Sequence, residues 1–197
     1  MNSGSAFSAF VFGKRGALLA LPAVGLAAFG KPSAFSIATG LPLAFAGEVV
    51  RMWAVGYSGV TTRGDTVTAP ALVTAGPYAY VRNPLYVGNF LTAAGFAVAF
   101  TGKNSAPARL LLVGGSLAAM FGVYAVIVRH EEGYLSTTFG PAFDEYCERV
   151  PRVVPALEPS EPQQGSYDPD VIGKAETRTW LTFGAMLGVL AFKALRG

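Results

Sequence analysis

The sequence predicts an all-α integral membrane protein, with about five transmembrane helices plus a cytoplasmic amphipathic helix. Three observations carry the prediction. Of the 197 residues, 52% are hydrophobic and only 14% charged, where a soluble domain has about 25% charged. Mean hydropathy is +0.42. The apolar residues fall in runs close to membrane-crossing length, broken by short polar or proline-bearing stretches. Residues 1–197 read as a single membrane domain.

The first run, residues 16–30, is short for a span. A helix reaches full length by extending back through Phe7–Phe12, with Lys14 and Arg15 snorkelling. No basic-then-apolar leader pattern precedes it, so it reads as a retained anchor. Lys31 and Pro32 end it. Residues 33–57 form the second run. Glu48 and Arg51 lie three apart on one helical face, able to pair. They either face protein inside the membrane or sit at the interface beside Trp53 and Tyr57. If residues 16–57 form a re-entrant pair, the spans number four.

Residues 58–76, with Arg63 and Asp65, read as a polar loop. The third span, 85–101, starts just after Pro84, and proline suits a helix start. Lys103 to Arg109 make a turn. Leu110–Val128 is the clearest span, 19 residues without a charge. Its Gly114, Gly115, Ala118, Ala119 and Gly122 predict close approach of another helix. From Arg129 the chain turns polar. Phe139, Phe143, Tyr146 and Val150 fall on one face, with Asp144, Glu145, Glu148 and Arg149 between them. That predicts an amphipathic helix on the membrane surface or over a site. Residues 156–175 read as a loop, and 178–195 as a C-terminal transmembrane helix.

Ten basic residues collect on one side: Lys14, Arg15, Arg51, Arg63, Arg82, Arg129, Arg149, Arg152, Lys174 and Arg178. Lys31, Lys103, Arg109, Lys193 and Arg196 lie on the other. The richer side is predicted to be cytoplasmic, in a cell inner membrane. Flanking charges of this kind fit a lipid bilayer as partner and not nucleic acid. One cysteine, Cys147, excludes a disulfide framework and a Cys-based metal site, and one histidine, His130, argues against a His-based one. No Gly-x-Gly-x-x-Gly and no P-loop occurs.

Two polar clusters fall on the predicted cytoplasmic side and are expected to form one site. The first is Gly76-Pro77-Tyr78-Ala79-Tyr80-Val81-Arg82-Asn83-Pro84-Leu85-Tyr86. The second is Arg129-His130-Glu131-Glu132. Aromatic faces attract a sulfonium or quaternary ammonium. Arg82 suits a carboxylate or phosphate. Glu131 or Glu132 suits ribose hydroxyls or an ammonium. S-adenosylmethionine has all these groups; the composition is compatible with it without selecting it. Taken singly, each residue also reads as an interfacial aromatic, an anchor or a solvated helix end.

The combination resembles the isoprenylcysteine carboxyl methyltransferase family, with its bacterial members and the related phospholipid methyltransferases. It comprises the Gly76–Tyr86 motif, a span, Glu131-Glu132-x-x-Leu135, Phe139-Gly140, Tyr146, and Val150-Pro151-Arg152 with Pro155. The resemblance covers about residues 45–155. It implies an integral membrane enzyme using S-adenosylmethionine on the cytoplasmic side. Leu72, Val73, Tyr78, Asn83, Pro84, Leu85, Tyr86 and Glu131 would bind the cofactor. Arg82, Arg129 and Glu132 would be the catalytic group. The acceptor would be a lipophilic or small amphipathic carboxylate, thiol or amine, entering from lipid. Two positions depart from the family pattern. Asn83 stands where a histidine is frequent, and asparagine cannot titrate. Ile127 stands where the carboxyl methyltransferases carry an arginine. An NADPH-dependent membrane reductase of the sterol-reductase type and a non-catalytic membrane scaffold are the rival readings. The oligomeric state is left open.

Overall fold

A computed structural model describes residues 3–59 and 69–196. Arg63 and Asp65 of the polar loop lie outside the described residues. The described chain is helical: α1 (Ser3–Phe29), α2 (Ala34–Ser58), a 3-10 turn (Gly76–Ala79), α3 (Pro84–Phe100), α4 (Ala106–Phe139), α5 (Pro141–Arg149) and α6 (Asp170–Arg196).

Local chemistry sets the boundaries. Ser33 caps α2: its Oγ accepts from Ser36 N at 3.1 Å, and Ser36 Oγ accepts from Ser33 N at 3.0 Å. This reciprocal box satisfies two orphan donors at the helix start. Pro84 opens α3 and Pro141 opens α5, positions where the missing N–H has no helical partner. Gly140, at φ 52°, separates α4 from α5, a conformation that costs glycine little.

Among the described residues two helices are long and apolar enough to cross a membrane, Phe10–Phe29 and Ala106–Phe139, and Pro84–Phe100 is a shorter apolar helix. α1 does extend back through Phe12, as the sequence requires for a full-length run. α2 carries Glu48 and Arg51, and α6 opens on a charged turn. Large apolar side chains face outward: Phe35, Phe45, Leu110, Leu111, Phe121 and Leu181 are all at least half exposed.

Three expectations are corrected. α4 does not end at Arg129 but runs on to Phe139. Charges there mark a change of face, not a helix end. α6 begins at Asp170, so the connection is 150–169 and not 156–175. The small residues of α4 do not make a tight seam: an added Cβ at Gly115 or Gly122 would meet nothing within 4 Å. The tight seam is between α2 and α3. A Cβ on Gly40 would meet Gly95 O at 2.4 Å, one on Gly95 would meet Ala44 N at 2.3 Å, and one on Gly47 would meet Gly88 O at 2.5 Å. These glycines recur every seven residues on both helices and bring antiparallel backbones together.

The core is divided. Leu26, Phe96, Phe100, Phe183 and Leu190 fill the end of the bundle away from the tyrosine motif. Val11, Phe12, Met120, Tyr124 and Ile127 join α1 to α4. Phe143, Tyr146 and Val150 pack α5 onto Leu72 and Leu135, so the amphipathic helix lies over the site. The opposite end is tied by polar contacts. Lys193 Nζ donates to Ala28 O and Gly30 O at 3.2 and 3.0 Å, and Arg109 donates to Thr101 O and Gly102 O.

Candidate functional site

The tyrosine motif is held from several sides. Gly76 turns at φ 62°, against the Tyr57 ring. Pro77 then starts a 3-10 turn closed by Tyr80 N and Val81 N donating to Pro77 O. Tyr146 on α5 donates its hydroxyl to Tyr78 O at 2.8 Å. Residues 151–168 form a strap over this segment. Arg82 N donates to Pro151 O, Ala156 N to Tyr80 O, Ser160 N to Ala79 O, and Thr74 N and Ala75 N to Gln164 O. Trp53 and Tyr57, candidates for an aromatic belt, pack on Tyr80 and Tyr167 instead.

Asn83 precedes α3 but does not cap it. Its Nδ2 donates to Glu132 Oε1 at 3.3 Å and Arg152 O at 3.1 Å. Glu132 also pairs with Arg82 Nε at 3.2 Å and Arg152 Nη2 at 2.6 Å. Both its oxygens are therefore engaged. Neighbouring Glu131 points to α3, where Tyr86 donates its hydroxyl to Glu131 Oε1 at 2.7 Å.

Burial holds the Tyr78 phenol well above its ordinary range. A hydrogen bond from Ser58 opposes the shift, the Glu131 charge adds to it, and Arg51 opposes it. Burial likewise raises the Tyr146 phenol. Both therefore serve as neutral hydrogen-bonding rings at ordinary pH.

A cavity of about 1160 Å³ opens on these groups, somewhat larger than the roughly 300–1,000 Å³ of ordinary ligand sites. Leu72, Val73, Tyr78, Arg82, Asn83, Pro84, Leu85, Tyr86, Glu131 and Glu132 all line it. The structure thus brings together every predicted site residue except Arg129. Arg129 is exposed and does not line the cavity. Helix phase separates it from Glu131: two residues at about 100° each put Arg129 on the opposite side of α4 from that acid. Arg152, at the start of the strap, gives Glu132 its second cation but does not line the cavity either.

Deeper in the cavity lies a polar layer that the sequence reading left unresolved. Glu48 and Arg51 are buried, not interfacial. Arg51 Nη2 donates to both oxygens of Glu176 on α6, at 2.9 and 2.8 Å, and to Thr179 at 3.3 Å. Its Nη1 donates to Asn89 Oδ1 on α3. Asn89 also lies beside the Tyr124 hydroxyl on α4. The signal for Asn89 was available: it follows Tyr86 by three and precedes Thr92 by three, a polar stripe in an apolar helix. Below this layer the cavity is apolar, with Leu26, Phe96, Met120, Phe183 and Met186. Ile127, where the resemblance implies an arginine, is fully buried against Val11 and Phe12.

The arrangement coincides with a family signature. A family model described as phospholipid methyltransferase matches residues 35–142, more than half of the chain. The chain belongs to the phospholipid methyltransferase family. Similar curated proteins include the nickel-cobalt-cadmium resistance protein NccN of Alcaligenes xylosoxydans xylosoxydans, 38% identical over 55% of this chain and 45% of that protein. The cobalt-zinc-cadmium resistance protein CzcN of Cupriavidus metallidurans is 38% identical over 44% of this chain and 36% of its own. The protein-S-isoprenylcysteine O-methyltransferase of Schizosaccharomyces pombe is 34% identical over 44% and 34%. The match spans less than half the length of each of these relatives. No solved structure matches. In this phospholipid methyltransferase family member the matched segment supplies α2, the tyrosine motif, α3 and α4. The facing walls from α1, α5, the strap and α6 lie outside it.

Proposed function

We propose that this protein is an S-adenosylmethionine-dependent membrane methyltransferase acting on a lipophilic or small amphipathic acceptor, a carboxylate, thiol or amine. The observation that carries the reading is one continuous cavity, lined at one end by Tyr78, Tyr86, Asn83 and Glu131 and at the other by Phe96, Met120 and Met186. When bound, the cofactor supplies an electrophilic methyl group on a sulfonium. The residues fit it: aromatic faces for the sulfonium, the Glu131 carboxylate for an ammonium or ribose hydroxyls, and enough volume for both reactants. Leu72, Val73, Pro84 and Leu85 give the walls. Asn83 and Arg82 are held by Glu132, which positions the two loops. Tyr86 fixes the direction of Glu131.

Methyl transfer needs alignment and exclusion of water more than covalent help. The strap and α5 cover the polar end and supply that exclusion. A carboxylate or thiolate acceptor requires no base. With both Glu132 oxygens engaged, the proton of an amine acceptor leaves to water.

The same reading takes α1, α2, α3, α4 and α6 as five spans. Outward Phe35, Phe45, Leu110, Phe121 and Leu181 then face lipid. Lys31, Lys103, Arg109 and Lys193 lie at the sparser basic end, and the site opens at the richer one, which is the cytoplasmic side by the positive-inside rule.

The test is calorimetric titration of S-adenosylhomocysteine into detergent-purified protein, with Glu131→Ala as control. Binding by the wild type that weakens at least tenfold in the control is expected, since a charge-assisted contact contributes about 1.5–3 kcal/mol. A folded, monodisperse sample that takes up NADPH and not S-adenosylhomocysteine would overturn the reading in favour of a reductase.

A further inference from the structure

α6 lies outside the family-matched segment, yet it places Glu176 in the cavity wall. Glu176 is fully buried. From its carboxylate an unbroken chain of contacts leads to the cofactor end. Both Glu176 oxygens accept from Arg51 Nη2, and Arg51 Nη1 donates to Asn89. Asn89 lies beside the Tyr124 hydroxyl, and the Tyr124 and Tyr86 ring centroids stand 4.7 Å apart. Tyr86 donates to Glu131. The chain crosses α6, α2, α3 and α4.

A buried ion pair is a poor device for stability alone, because apolar residues of the same volume do as well or better. Ionisable groups that face a cavity inside a membrane protein mark function by default. Here each member has a defined geometric task. The two Glu176 oxygens hold Nη2 of the guanidinium, Nη1 holds the Asn89 amide, and the amide stands against the Tyr124 hydroxyl. Tyr124 backs the ring whose hydroxyl aims Glu131.

We infer that Glu176 is a positioning residue for the cofactor end of the cavity, acting through Arg51, Asn89 and Tyr124 on the Tyr86–Glu131 pair. The inference rests on the methyltransferase reading for its purpose but not for its geometry. It makes the C-terminal helix part of the site and not only an anchor.

The test separates positioning from support. A triple variant, Glu48→Gln, Arg51→Met and Glu176→Leu, replaces the buried charges by neutral groups of similar volume. A single variant, Glu176→Gln, keeps the shape and removes the charge. All proteins carry 3-fluorotyrosine, with the Tyr86 and Tyr124 fluorine resonances assigned by Tyr86→Phe and Tyr124→Phe. The expected result is a triple variant that melts at or above the wild-type temperature. Its Tyr86 and Tyr124 resonances shift or broaden, and it binds S-adenosylhomocysteine at least tenfold more weakly. Unmoved resonances in the folded triple variant would reduce the pair to a strut and sink the inference. If the triple variant does not fold, the same readout on Glu176→Gln decides, with unmoved resonances again counting against. A wild type that binds no S-adenosylhomocysteine removes the methyltransferase reading alone, and the fluorine result still stands or falls by itself.

Discussion

Glu132 and Glu176 are both buried carboxylates that face arginine, in opposite proportions. Glu132 is one acid between two cations, Arg82 and Arg152, with Asn83 added. Arg51 is one cation between two acids, Glu48 and Glu176. The first set joins loops at the polar rim, and one partner, Arg152, has a half-exposed side chain. The second joins helices well inside the bundle, where every charged side chain is less than one-tenth exposed. The difference teaches that the family's polar motif supplies the groups, while residues beyond it decide how those groups are braced. Glu132 is braced by the strap and Arg51 by α6.

The sharpest test of that contrast is removal of each acid. Glu176→Ala leaves Arg51 with Glu48 at 3.9 Å as its remaining acid. A loss of about 3 kcal/mol is expected, at the low end for breaking a buried pair. Glu132→Ala frees Arg152, which water can solvate, and leaves Arg82 its Nη1 hydrogen bond to Cys147 O, so a smaller loss of about 1–2 kcal/mol is expected. Unfolding in mixed micelles measures both. Equal losses would break the comparison.

A second contrast concerns glycine. Gly95→Ala puts a methyl against backbone across the α2–α3 seam, and overpacking of this kind costs about 1–3 kcal/mol. Gly115→Ala meets open space and is expected to leave stability unchanged or raise it by up to about 1 kcal/mol. Thermal melts of the two variants check the pair.

The smallest effect concerns Tyr146. Tyr146→Phe deletes one hydrogen bond to Tyr78 O, a loss of about 1 kcal/mol. It also has a pH signature. Burial raises the folded phenol above its ordinary value of 10. The stability linked to it is whole below pH 10 and falls as pH rises above that, because the unfolded chain ionises first. The alkaline limb of the stability curve is therefore expected to flatten in the variant, read by unfolding at stepped pH.

Much of this was legible in the chain. The apolar runs marked helices, and Pro84 marked the start of α3. The tyrosine motif and the acid pair announced a site because each is contiguous in sequence. What escaped was of two kinds. Arg129 was grouped with its neighbours along the chain, but a helix assigns neighbours to different faces. Arg51 and Glu176 lie 125 residues apart, and no local pattern encodes such a pairing. The α2–α3 glycines were passed over because their spacing is meaningful only when two helices are compared.

Glu48 and Arg51 stand three apart on α2, and this bears on biosynthesis. On the five-span reading proposed above, α2 enters the bilayer before α6 has been made. The two opposite charges, one helical turn apart, let the segment insert with no net charge. Glu176 comes only with the last helix, exchanging a loose local partner for a close distant one. On that reading the close partner of Arg51 is supplied after its own helix is in place, and a chain cut before Asp170 is expected to insert without it.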